Sequence, residues 1–414
     1  MSTTESAKPS TTPKPPKLPP FDATDPLGID DLLDPEDLAI RGTVRTWAAD
    51  RVLPHIAEWY ENGELPGIRE LARELGSLGA LGMSLKGYGC AGATAVQYGL
   101  ACLELEAADS GIRSLVSVQG SLAMYAIHRF GSEEQKRQWL PGMAAGEIIG
   151  CFGLTEPDHG SDPAGMRTYA RRDGGDWVLT GRKMWITNGS VAGVAVVWAQ
   201  TDEDDDGGGG GIRGFVVPTD SPGFTAPEIR HKWSLRASVT SELVMDGVRL
   251  PADAVLPGAL GLRGPLSCLS HARYGIVWGA MGAARASFEA ALDYARTREQ
   301  FGRPIGGFQL TQAKLADMAV ELHKGILLAH HLGRRLDAGR LRPEQVSFGK
   351  LNNVREAIEI CRTSRTILGA NGISLEYPVM RHATNLESVL TYEGTVEMHQ
   401  LVLGKALTGL DAFR

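Results

Sequence analysis

The sequence predicts an α+β protein in three parts: an N-terminal helical domain, a central β domain and a C-terminal helical bundle. Two changes of residue pattern along the 414 residues support this division. Helical periodicity gives way near Ile148 to short β-rich runs broken by Gly, Asp and Pro, and longer helical patterns return after about Leu262. We therefore expect domains at 31–147, 148–262 and 263–414.

The start of the chain predicts a disordered tail over residues 1–30. It opens with a stretch rich in Pro, Ser, Thr and Lys, which cannot bury enough apolar surface to fold. The stretch has many prolines, no Arg and no amphipathic face, so it does not look like a mitochondrial presequence. We therefore expect a cytoplasmic protein.

Composition argues against several classes of function. The net charge of -7 is unlike that of a general nucleic-acid binder, which normally presents a basic face. No apolar run reaches the ~18 residues needed to span a membrane. The five cysteines are odd in number, scattered and without a CxxC pair, which fits reduced thiols better than a disulfide framework or a zinc site. We assign no metal.

Local signals predict individual helices. Asp34, followed by Pro and two acids, begins a helix, and Ser132 has the spacing of a capping box. Residues 93–107 and 113–128 predict two buried helices. The longer helices of the third part are predicted at 274–296, 311–336, 343–368 and 396–410.

The β domain is predicted from short runs and turns. Residues 172–175 indicate a hairpin turn between two strands. Residues 202–211, acidic and then glycine-only, predict a flexible surface loop, and they lack the ligand spacing of a calcium site. The other strands are predicted within 177–179, 183–186, 194–199, 215–217, 224–229 and 242–245.

Three stretches carry candidate functional residues, each with an ordinary structural alternative. Thr155 and Ser161 offer hydroxyls in a turn, suited to polar ring edges and phosphates or simply to capping their own backbone. Trp185 and Thr187 alternate onto one strand face, which suits either an aromatic cofactor or a core. Glu393, between two helix-like segments, is either a catalytic carboxylate or a solvated loop residue. No P-loop, GxSxG elbow or HExxH motif is present.

Taken in order, these stretches resemble the acyl-CoA dehydrogenase family. CFGLTEPDHGSD at 151–162 and KMWITNG at 183–189 match that family's two flavin-binding segments, and TYEGT at 391–395 matches its base motif. The resemblance covers nearly everything after the tail. It implies an acyl-CoA dehydrogenase-like fold, with an N-terminal helical domain, a central β-barrel-like domain and a C-terminal four-helix bundle. Segments such as DSGIRS at 109–114 and ARYGI at 272–276 are most similar to the glutaryl-CoA dehydrogenase subfamily.

The resemblance implies an FAD cofactor and a homo-oligomer, typically a homotetramer, because the cofactor is shared between subunits. Thr395 would hold the flavin. The residues implied to line it are Phe152, Leu154, Thr155, Ser161, Trp185, Ile186 and Thr187. Those implied to serve a neighbouring subunit's FAD or its adenine half are Arg298, Phe301, Gln309, Ile367, Leu368, Gly369 and Ala370.

Ala370 departs from the family pattern, which usually has a second glycine there. If the backbone at this position has a positive φ, Ala costs ~1 kcal/mol.

The resemblance also implies how an acyl-CoA would bind. Glu393 would remove the α-proton, and its amide would help to hold the thioester oxygen with a flavin ribityl hydroxyl. Gly394 would allow close approach of the thioester, and Arg113 would pair with the distal carboxylate of glutaryl-CoA. Taken by position alone, Arg113 is more simply a helix-surface residue. The remaining residues assigned to the substrate are Glu106, Ser114, Ser161, Leu266, Ser270, Arg273 and Tyr392.

Tyr392 and Glu106 favour a reaction that continues to decarboxylation, giving crotonyl-CoA and carbon dioxide, as in decarboxylating members of the subfamily. Electrons would leave through an electron-transferring flavoprotein. One alternative is an acyl-CoA dehydrogenase of other specificity, or one that passes electrons to oxygen. Another is a non-catalytic member of the fold, which would be expected to lose the base or the flavin contacts.

Overall fold

The computed structural model describes residues 20–202 and 210–412. The predictions for the tail before residue 20 and for residues 203–209 of the acidic and glycine-rich run lie outside these ranges. Within them the chain follows the predicted order of helices, a sheet and longer helices. No helix in the described part of the chain is long and apolar enough to cross a membrane.

The N-terminal part consists of seven α-helices and a two-stranded hairpin in the described residues. Its elements are α1 Pro35–Arg51, α2 Ile56–Asn62, α3 Ile68–Ser77, β1 Lys86–Gly87, β2 Cys90–Ala91, α4 Ala95–Ala108, α5 Ser110–Ser117, α6 Tyr125–Phe130 and α7 Glu133–Ala144. The Asp34 carboxylate accepts a hydrogen bond from the Asp37 amide at 2.9 Å and caps α1. Ser132 caps α7 through a capping box, as predicted.

The predicted helix at 113–128 is interrupted in the structure. A π-helical segment, Val118–Met124, joins α5 to α6. Such segments are uncommon and concentrate at functional sites. Here Val118 and Leu122 line a cavity described below.

The central part is a seven-stranded sheet in the described residues. Its strands are β3 Gly150–Gly153, β4 Tyr169–Asp173, β5 Asp176–Thr187, β6 Val194–Thr201, β7 Gly211–Pro218, β8 Phe224–Thr225 and β9 Thr240–Leu250. The strand order is β3-β6-β4-β5-β9-β8, with β7 also paired to β6. The contacts of β6 with β3 and β4 are parallel, and the other pairs are antiparallel. The sheet buries its own core, which includes Trp177, Leu179, Phe215 and Leu243.

Turns and strand ends follow from particular residues. The turn predicted at 172–175 is present with a two-residue loop: Asp173 pairs with Asp176, and Gly174 supplies the positive φ of 62° that such a turn needs. The predicted run 224–229 forms a regular strand only over its first two residues. Pro227 has no amide hydrogen to donate to the ladder, which ends the regular pairing there.

The C-terminal part returns to helices. Its elements are α8 Arg263–Thr297, β10 Glu299–Gln300, β11 Arg303–Pro304, α9 Gln309–Asp337, α10 Pro343–Leu368, α11 Val379–Thr391 and α12 Val396–Thr408. Small residues let α8 approach its neighbours closely. A Cβ atom at Gly282 would lie 2.0 Å from the Leu103 carbonyl oxygen of α4. Helix α8 therefore packs directly against α4.

Candidate active site

A cavity of about 770 Å³ lies where the three parts of the chain meet. Its walls come from α5 and the π-helical segment, the ends of β3 and β5, the loop before β9, the start of α8, and the loop between α11 and α12. The structure therefore brings together segments that are far apart in the sequence. The residues assigned to the cofactor or substrate that line it are Arg113, Ser114, Phe152, Leu154, Thr155, Ser161, Trp185, Ile186, Thr187, Leu266, Arg273, Tyr392, Glu393, Gly394 and Thr395.

Glu393 lies in the loop between α11 and α12. Its Oε2 atom is buried and has no hydrogen-bond partner among the described residues. Burial raises the pKa of the Glu393 carboxyl, while Arg113, Lys350 and Arg273 act in the opposite direction. A carboxyl group with a raised pKa is a stronger base when it is ionised. Glu393 is therefore suited to accept a proton from a group in the cavity.

The backbone around Glu393 is held in an unusual conformation. Glu393 has a φ of 53° and Gly394 a φ of 99°. Positive φ is unfavourable for a residue with a side chain, so other contacts must stabilise this turn. The Thr395 hydroxyl accepts a hydrogen bond from the Met398 amide at 3.3 Å and caps α12 directly after it.

Two cations, the buried Lys350 and the half-buried Arg273, bind the three carbonyl oxygens of this turn. The Lys350 ammonium donates to the carbonyls of Tyr392 and Gly394, the latter at 2.6 Å. The Arg273 Nε donates to the Glu393 carbonyl at 2.6 Å. Burial lowers the pKa of Lys350. The sequence assigned Arg273 to the substrate. In the structure its Nε holds the loop at 392–395, which carries the candidate base Glu393 and is called the base loop below.

Space at Gly394 is limited by a buried histidine. A Cβ atom there would lie 2.9 Å from the His399 Nε2 atom and 3.3 Å from an Arg273 nitrogen, so the position requires glycine for space as well as for φ. Burial lowers the pKa of His399 to about 3, and its Nδ1 lies 3.0 Å from the Ser347 hydroxyl. His399 is thus a neutral packing partner of the loop.

Arg113 lines another part of the cavity and belongs to a buried network of hydrogen bonds. Its Nε donates to Glu106 Oε2 at 2.6 Å, and the Ser110 hydroxyl donates to the other Glu106 oxygen at 2.8 Å. An Nη2 hydrogen of Arg113 goes to the Tyr392 hydroxyl, which links this network to the base loop. The Arg113 and Glu106 side chains are 1% and 0% exposed. A free Arg113 Nη1 remains among the described contacts for an anion in the cavity.

Glu106, which the sequence assigned to the substrate, does not line the cavity. In one continuous helix the seven-residue spacing would place Glu106 and Arg113 on the same face. Instead α4 ends before Asp109, whose φ of -166° is extended, and α5 begins anew. Glu106 lies behind Arg113 and binds it, so only Arg113 of the pair lines the cavity.

Asp109 fixes where α5 begins. Its carboxylate accepts from the Gly111 amide at 2.7 Å and from the Asn385 amide group at 2.9 Å, and it forms a buried ion pair with Arg381. Arg381 and Asn385 belong to α11, which leads into the base loop. The helix that carries Arg113 and the helix that precedes Glu393 are therefore joined by one polar network.

Gly279 on α8 makes room for the Arg113 network. A Cβ atom at this position would lie 2.0 Å from Glu106 Oε2 and 3.3 Å from Arg113 Nε. Real Cβ atoms do not approach polar atoms so closely, so any larger residue would displace the ion pair.

The first two motifs are joined by a buried ion pair that the sequence did not single out. The Lys183 ammonium donates to Glu156 Oε1 at 2.8 Å and to the Leu154 carbonyl at 3.1 Å. Burial lowers the pKa of Lys183 to about 8. The Met184 amide donates to the Thr155 carbonyl at 2.8 Å. The two segments consequently form one rigid wall of the cavity.

Trp185 on this wall is exposed, which is unusual for a large aromatic residue on a sheet. It is 58% exposed and has a φ of 62°, which turns it out of the strand pattern. The alternative of a buried core Trp is therefore wrong. Trp185, Ile186 and Thr187 together line the cavity with an aromatic, an aliphatic and a hydroxyl side chain.

The loop before β9 is a cavity wall to which the sequence gave no function. Its lining residues are His231, Lys232, Trp233, Ser234 and Leu235. The Lys232 ammonium holds the loop by donating to the Leu235 and Ser238 carbonyls at 2.8 and 2.7 Å.

Several assigned residues lie away from this cavity. Ser270 donates to the Leu266 carbonyl within α8 at 3.0 Å and does not line it. Arg298 follows the end of α8, Phe301 is 94% exposed on the β10–β11 hairpin, and Gln309 begins α9. These three, with Ile367, Leu368, Gly369 and Ala370 at the end of α10, were assigned to a neighbouring subunit's FAD or its adenine half, so one chain does not test them.

The expected strain at Ala370 does not arise. The positive φ in this turn, 61°, belongs to Gly369, and Ala370 has a negative φ in the helical turn that follows. Alanine is acceptable in such a conformation.

Lys350 is the functional residue that sequence reasoning missed most clearly. It is 2% exposed, although Lys is rarely buried. A signal was present in α10, where Val346, Lys350, Asn353 and Ala357 recur at steps of three and four and all lie on the buried face. A lysine within such an apolar stripe indicates a buried cation with a specific partner.

The fold and the site indicate an enzyme in which the buried, unpartnered Glu393 carboxylate is suited to act as a base. This carboxylate faces a large, partly apolar cavity, with a buried arginine on one side and an exposed Trp on another. In the described residues no group of three or more His, Cys, Asp and Glu side chains could hold a metal ion.

Comparison with known proteins places this class in a family. Models of the N-terminal, middle and C-terminal domains of acyl-CoA dehydrogenases match residues 34–147, 151–248 and 260–408. The chain belongs to the acyl-CoA dehydrogenase family, as the sequence motifs predicted. The short-chain specific acyl-CoA dehydrogenase of Bos taurus mitochondria is 35% identical over 367 residues, covering 88% of each chain.

Two solved structures are more similar. A crystal structure of a glutaryl-CoA dehydrogenase from Mycobacterium smegmatis is 73% identical, with a TM-score of 0.91, and covers 94% of this chain and 99% of that one. A second structure of a glutaryl-CoA dehydrogenase from the same organism, in complex with FADH2, is 63% identical, with a TM-score of 0.92 and coverage of 95% and 100%. The predicted likeness to that subfamily is confirmed.

Proposed function

We propose that this chain is an FAD-dependent glutaryl-CoA dehydrogenase that converts glutaryl-CoA to crotonyl-CoA and carbon dioxide. The observation that carries this proposal is Arg113. It is a buried cation that lines the same cavity as the unpartnered Glu393 carboxylate, and it is tied to Tyr392 beside that base. The two similar structures are also glutaryl-CoA dehydrogenases, one of them with FADH2.

The cavity fits a flavin. Trp185 offers an exposed aromatic face, Thr187 and Thr155 offer hydroxyl groups, and Phe152 and Leu154 are apolar lining residues. The Lys183–Glu156 pair fixes both segments, so the binding wall is formed before the ligand arrives. FAD, when bound, supplies the acceptor for the hydride that leaves the β-carbon.

Glu393 removes the proton from the α-carbon of the thioester. This proton is only weakly acidic, so the base must have a raised pKa and the developing charge on the thioester oxygen must be held. Burial provides the first condition. Gly394, with no side chain, lets the thioester approach the turn.

Arg113 selects the substrate by binding its distal carboxylate. Glu106 already balances the charge of Arg113, which allows this cation to remain buried when no substrate is present. An acyl-CoA with an apolar end would leave the free Arg113 donor desolvated and unpaired, which disfavours it.

Decarboxylation follows from the position of the distal carboxylate. After oxidation, the bond from the γ-carbon to the carboxylate breaks, and its electron pair delocalises to the thioester oxygen. Glu393, which carries the proton taken from the α-carbon, returns it to the γ-carbon and gives the crotonyl product. Tyr392 precedes the base in the sequence and its hydroxyl accepts a hydrogen bond from Arg113, so it connects the base to the residue that would bind the distal carboxylate.

The remaining expectations from the sequence are part of the same proposal. We expect Arg298, Phe301 and Gln309 to bind the FAD of a neighbouring subunit in a homotetramer. An electron-transferring flavoprotein is the expected electron acceptor, and the cytoplasm the expected location. Phe301 supports the first expectation, because a side chain so exposed has few partners within its own chain.

The proposal is tested by mixing the FAD-loaded protein with glutaryl-CoA without oxygen. The flavin absorbance should fall, and carbon dioxide and crotonyl-CoA should appear in equal amounts. Glutaconyl-CoA without carbon dioxide would leave an acyl-CoA dehydrogenase but reject decarboxylation.

Replacing the base gives a second test. Glu393→Gln should keep its FAD but reduce the flavin about 10²- to 10⁴-fold more slowly, because the amide cannot accept the α-proton. Stopped-flow absorbance measures this rate, and the FAD content of the purified variant is the control. Unchanged reduction would remove Glu393 from its role.

A further inference from the structure

We infer that Lys350 is a positioning residue for the oxyanion site: it fixes the peptide between Tyr392 and Glu393 so that its amide hydrogen points at the thioester oxygen. This inference rests on the proposed function, because it concerns the thioester of an acyl-CoA bound beside Glu393.

The geometry of one peptide group carries the argument. The Tyr392 carbonyl and the Glu393 amide belong to the same peptide, and in a trans peptide their C=O and N–H bonds point in opposite directions. Lys350 binds that carbonyl from the buried side, where α10 packs against the loop. The Glu393 amide must then point away from α10, toward the cavity that Glu393 lines.

The amide is also available for a ligand. Tyr392 and His399 donate their amide hydrogens to helical carbonyls on either side of the turn, whereas no described residue accepts the Glu393 amide hydrogen. An unpaired amide beside a base is the kind of donor that stabilises negative charge developing on a carbonyl oxygen.

Lys350 acts on three parts of this turn at once. Besides the Tyr392 carbonyl it binds the Gly394 carbonyl at 2.6 Å, and its ammonium lies 5.8 Å from the centre of the Tyr392 ring. A single buried cation therefore holds both ends of a turn whose central residue has a φ of 53°. Without it, the turn can relax to negative φ, which rotates the Glu393 amide away from the cavity.

Acetoacetyl-CoA separates this role from that of the base. It is acidic enough to ionise without Glu393, and its enolate absorbs in the ultraviolet, so the pKa of the bound ligand reports how well the thioester oxygen is held. In the FAD-loaded Lys350→Met variant, the ionisation of bound acetoacetyl-CoA should weaken about 10- to 100-fold. In the same variant, the thioester C=O stretch of bound, un-ionised acetoacetyl-CoA, measured by infrared spectroscopy, should move toward its value in water.

Arg285→Met is the matched control. It also removes a buried cation, but from an ion pair that does not line the cavity, so it should leave both signals unchanged. Lys350→Gln keeps one donor and should give an intermediate shift.

The outcomes distinguish the two proposals. If the wild-type protein neither binds nor ionises acetoacetyl-CoA, the proposed function is wrong. If the wild-type ionises it and Lys350→Met does so equally, only the role of Lys350 is wrong. Loss of FAD from both Lys350 variants would also overturn that role, since a residue that only orients this peptide does not hold the cofactor.

Discussion

Two glutamates on α4, two positions apart in sequence, form ion pairs that differ in their relation to the cavity. Glu104 binds two arginines: Arg285 reaches its two oxygens at 2.8 and 2.6 Å, and Arg45 reaches them at 2.9 and 3.0 Å. Glu106 binds one arginine through a single nitrogen. None of the Glu104 group lines the cavity, whereas Arg113, the partner of Glu106, does.

The difference lies in whether an unused donor faces the cavity, because Arg285 also keeps an unpaired Nε among the described residues but does not line the cavity. Both Glu104 oxygens accept from two guanidinium groups, so its carboxylate is fully satisfied and serves to join α1, α4 and α8. In the Glu106 pair the arginine retains a donor on the cavity side. A buried ion pair therefore indicates recognition only when one member keeps a donor or acceptor that faces a ligand site.

The largest expected effect compares the two arginines directly. Arg113→Met should reduce the preference for glutaryl-CoA over butyryl-CoA, as a ratio of kcat/KM values, by about 10²- to 10³-fold, because the buried distal carboxylate loses its partner. Arg285→Met should leave this ratio unchanged, although it lowers stability. Equal ratios in the two variants would abolish the distinction between the pairs.

A smaller effect concerns pH and the Glu104 pair. Burial alone would raise the pKa of Glu104, but Arg285 and Arg45 outweigh it and bring the pKa to about 2. Because the folded-state pKa lies below that of the unfolded chain, the stabilisation is complete above about pH 4.5 and is lost as the pH falls toward 2.

This depression of the Glu104 pKa corresponds to about 3 kcal/mol of stability at neutral pH. Denaturant unfolding of wild type and Glu104→Gln, followed between pH 7 and pH 3, measures it. The difference in unfolding free energy between the two proteins should narrow as the pH falls. A constant difference would show that Glu104 contributes by packing instead of charge.

The smallest effect is expected at Tyr392. Tyr392→Phe keeps the ring and removes the hydroxyl that accepts from Arg113. Such a hydrogen bond to a charged group contributes about 1.5–3 kcal/mol, of which an Arg113 free to bind the substrate carboxylate recovers part. We expect a roughly tenfold lower kcat for glutaryl-CoA and a larger share of glutaconyl-CoA in the products. Product analysis by chromatography measures that share, and an unchanged share would remove Tyr392 from decarboxylation.

The sequence predicted the three-part fold and the motif loops well, because these depend on local periodicity and short segments. Contacts between distant segments were harder to foresee. Lys350 binds carbonyls 42 and 44 residues away, and no local pattern names its partners. The break at Asp109 lies between the two helices predicted at 93–107 and 113–128, but the contacts that fix it could not be foreseen, because Arg381 and Asn385, which hold the Asp109 carboxylate, come from α11.

The two motifs at 151–162 and 183–189 illustrate the same limit. The sequence placed Leu154, Thr155 and Trp185 at the cofactor, and the structure puts them in one wall of the cavity. The sequence analysis gave no role to Glu156 and Lys183, whose buried ion pair joins the two segments of this wall. When one charge of a pair lies in each of two motifs, the pair can be recognised in a sequence only once the two motifs are known to be in contact.

The absence of a side chain at Gly279 makes the choice of acyl chain depend on a residue that touches no substrate. Any side chain there would push Glu106 and Arg113 apart and send the guanidinium elsewhere. A single substitution on α8 could therefore abolish the preference for dicarboxylic substrates during evolution, and its reversal could restore that preference. Laboratory selection for a new acyl group should find changes at Gly279 as readily as changes at Arg113 itself.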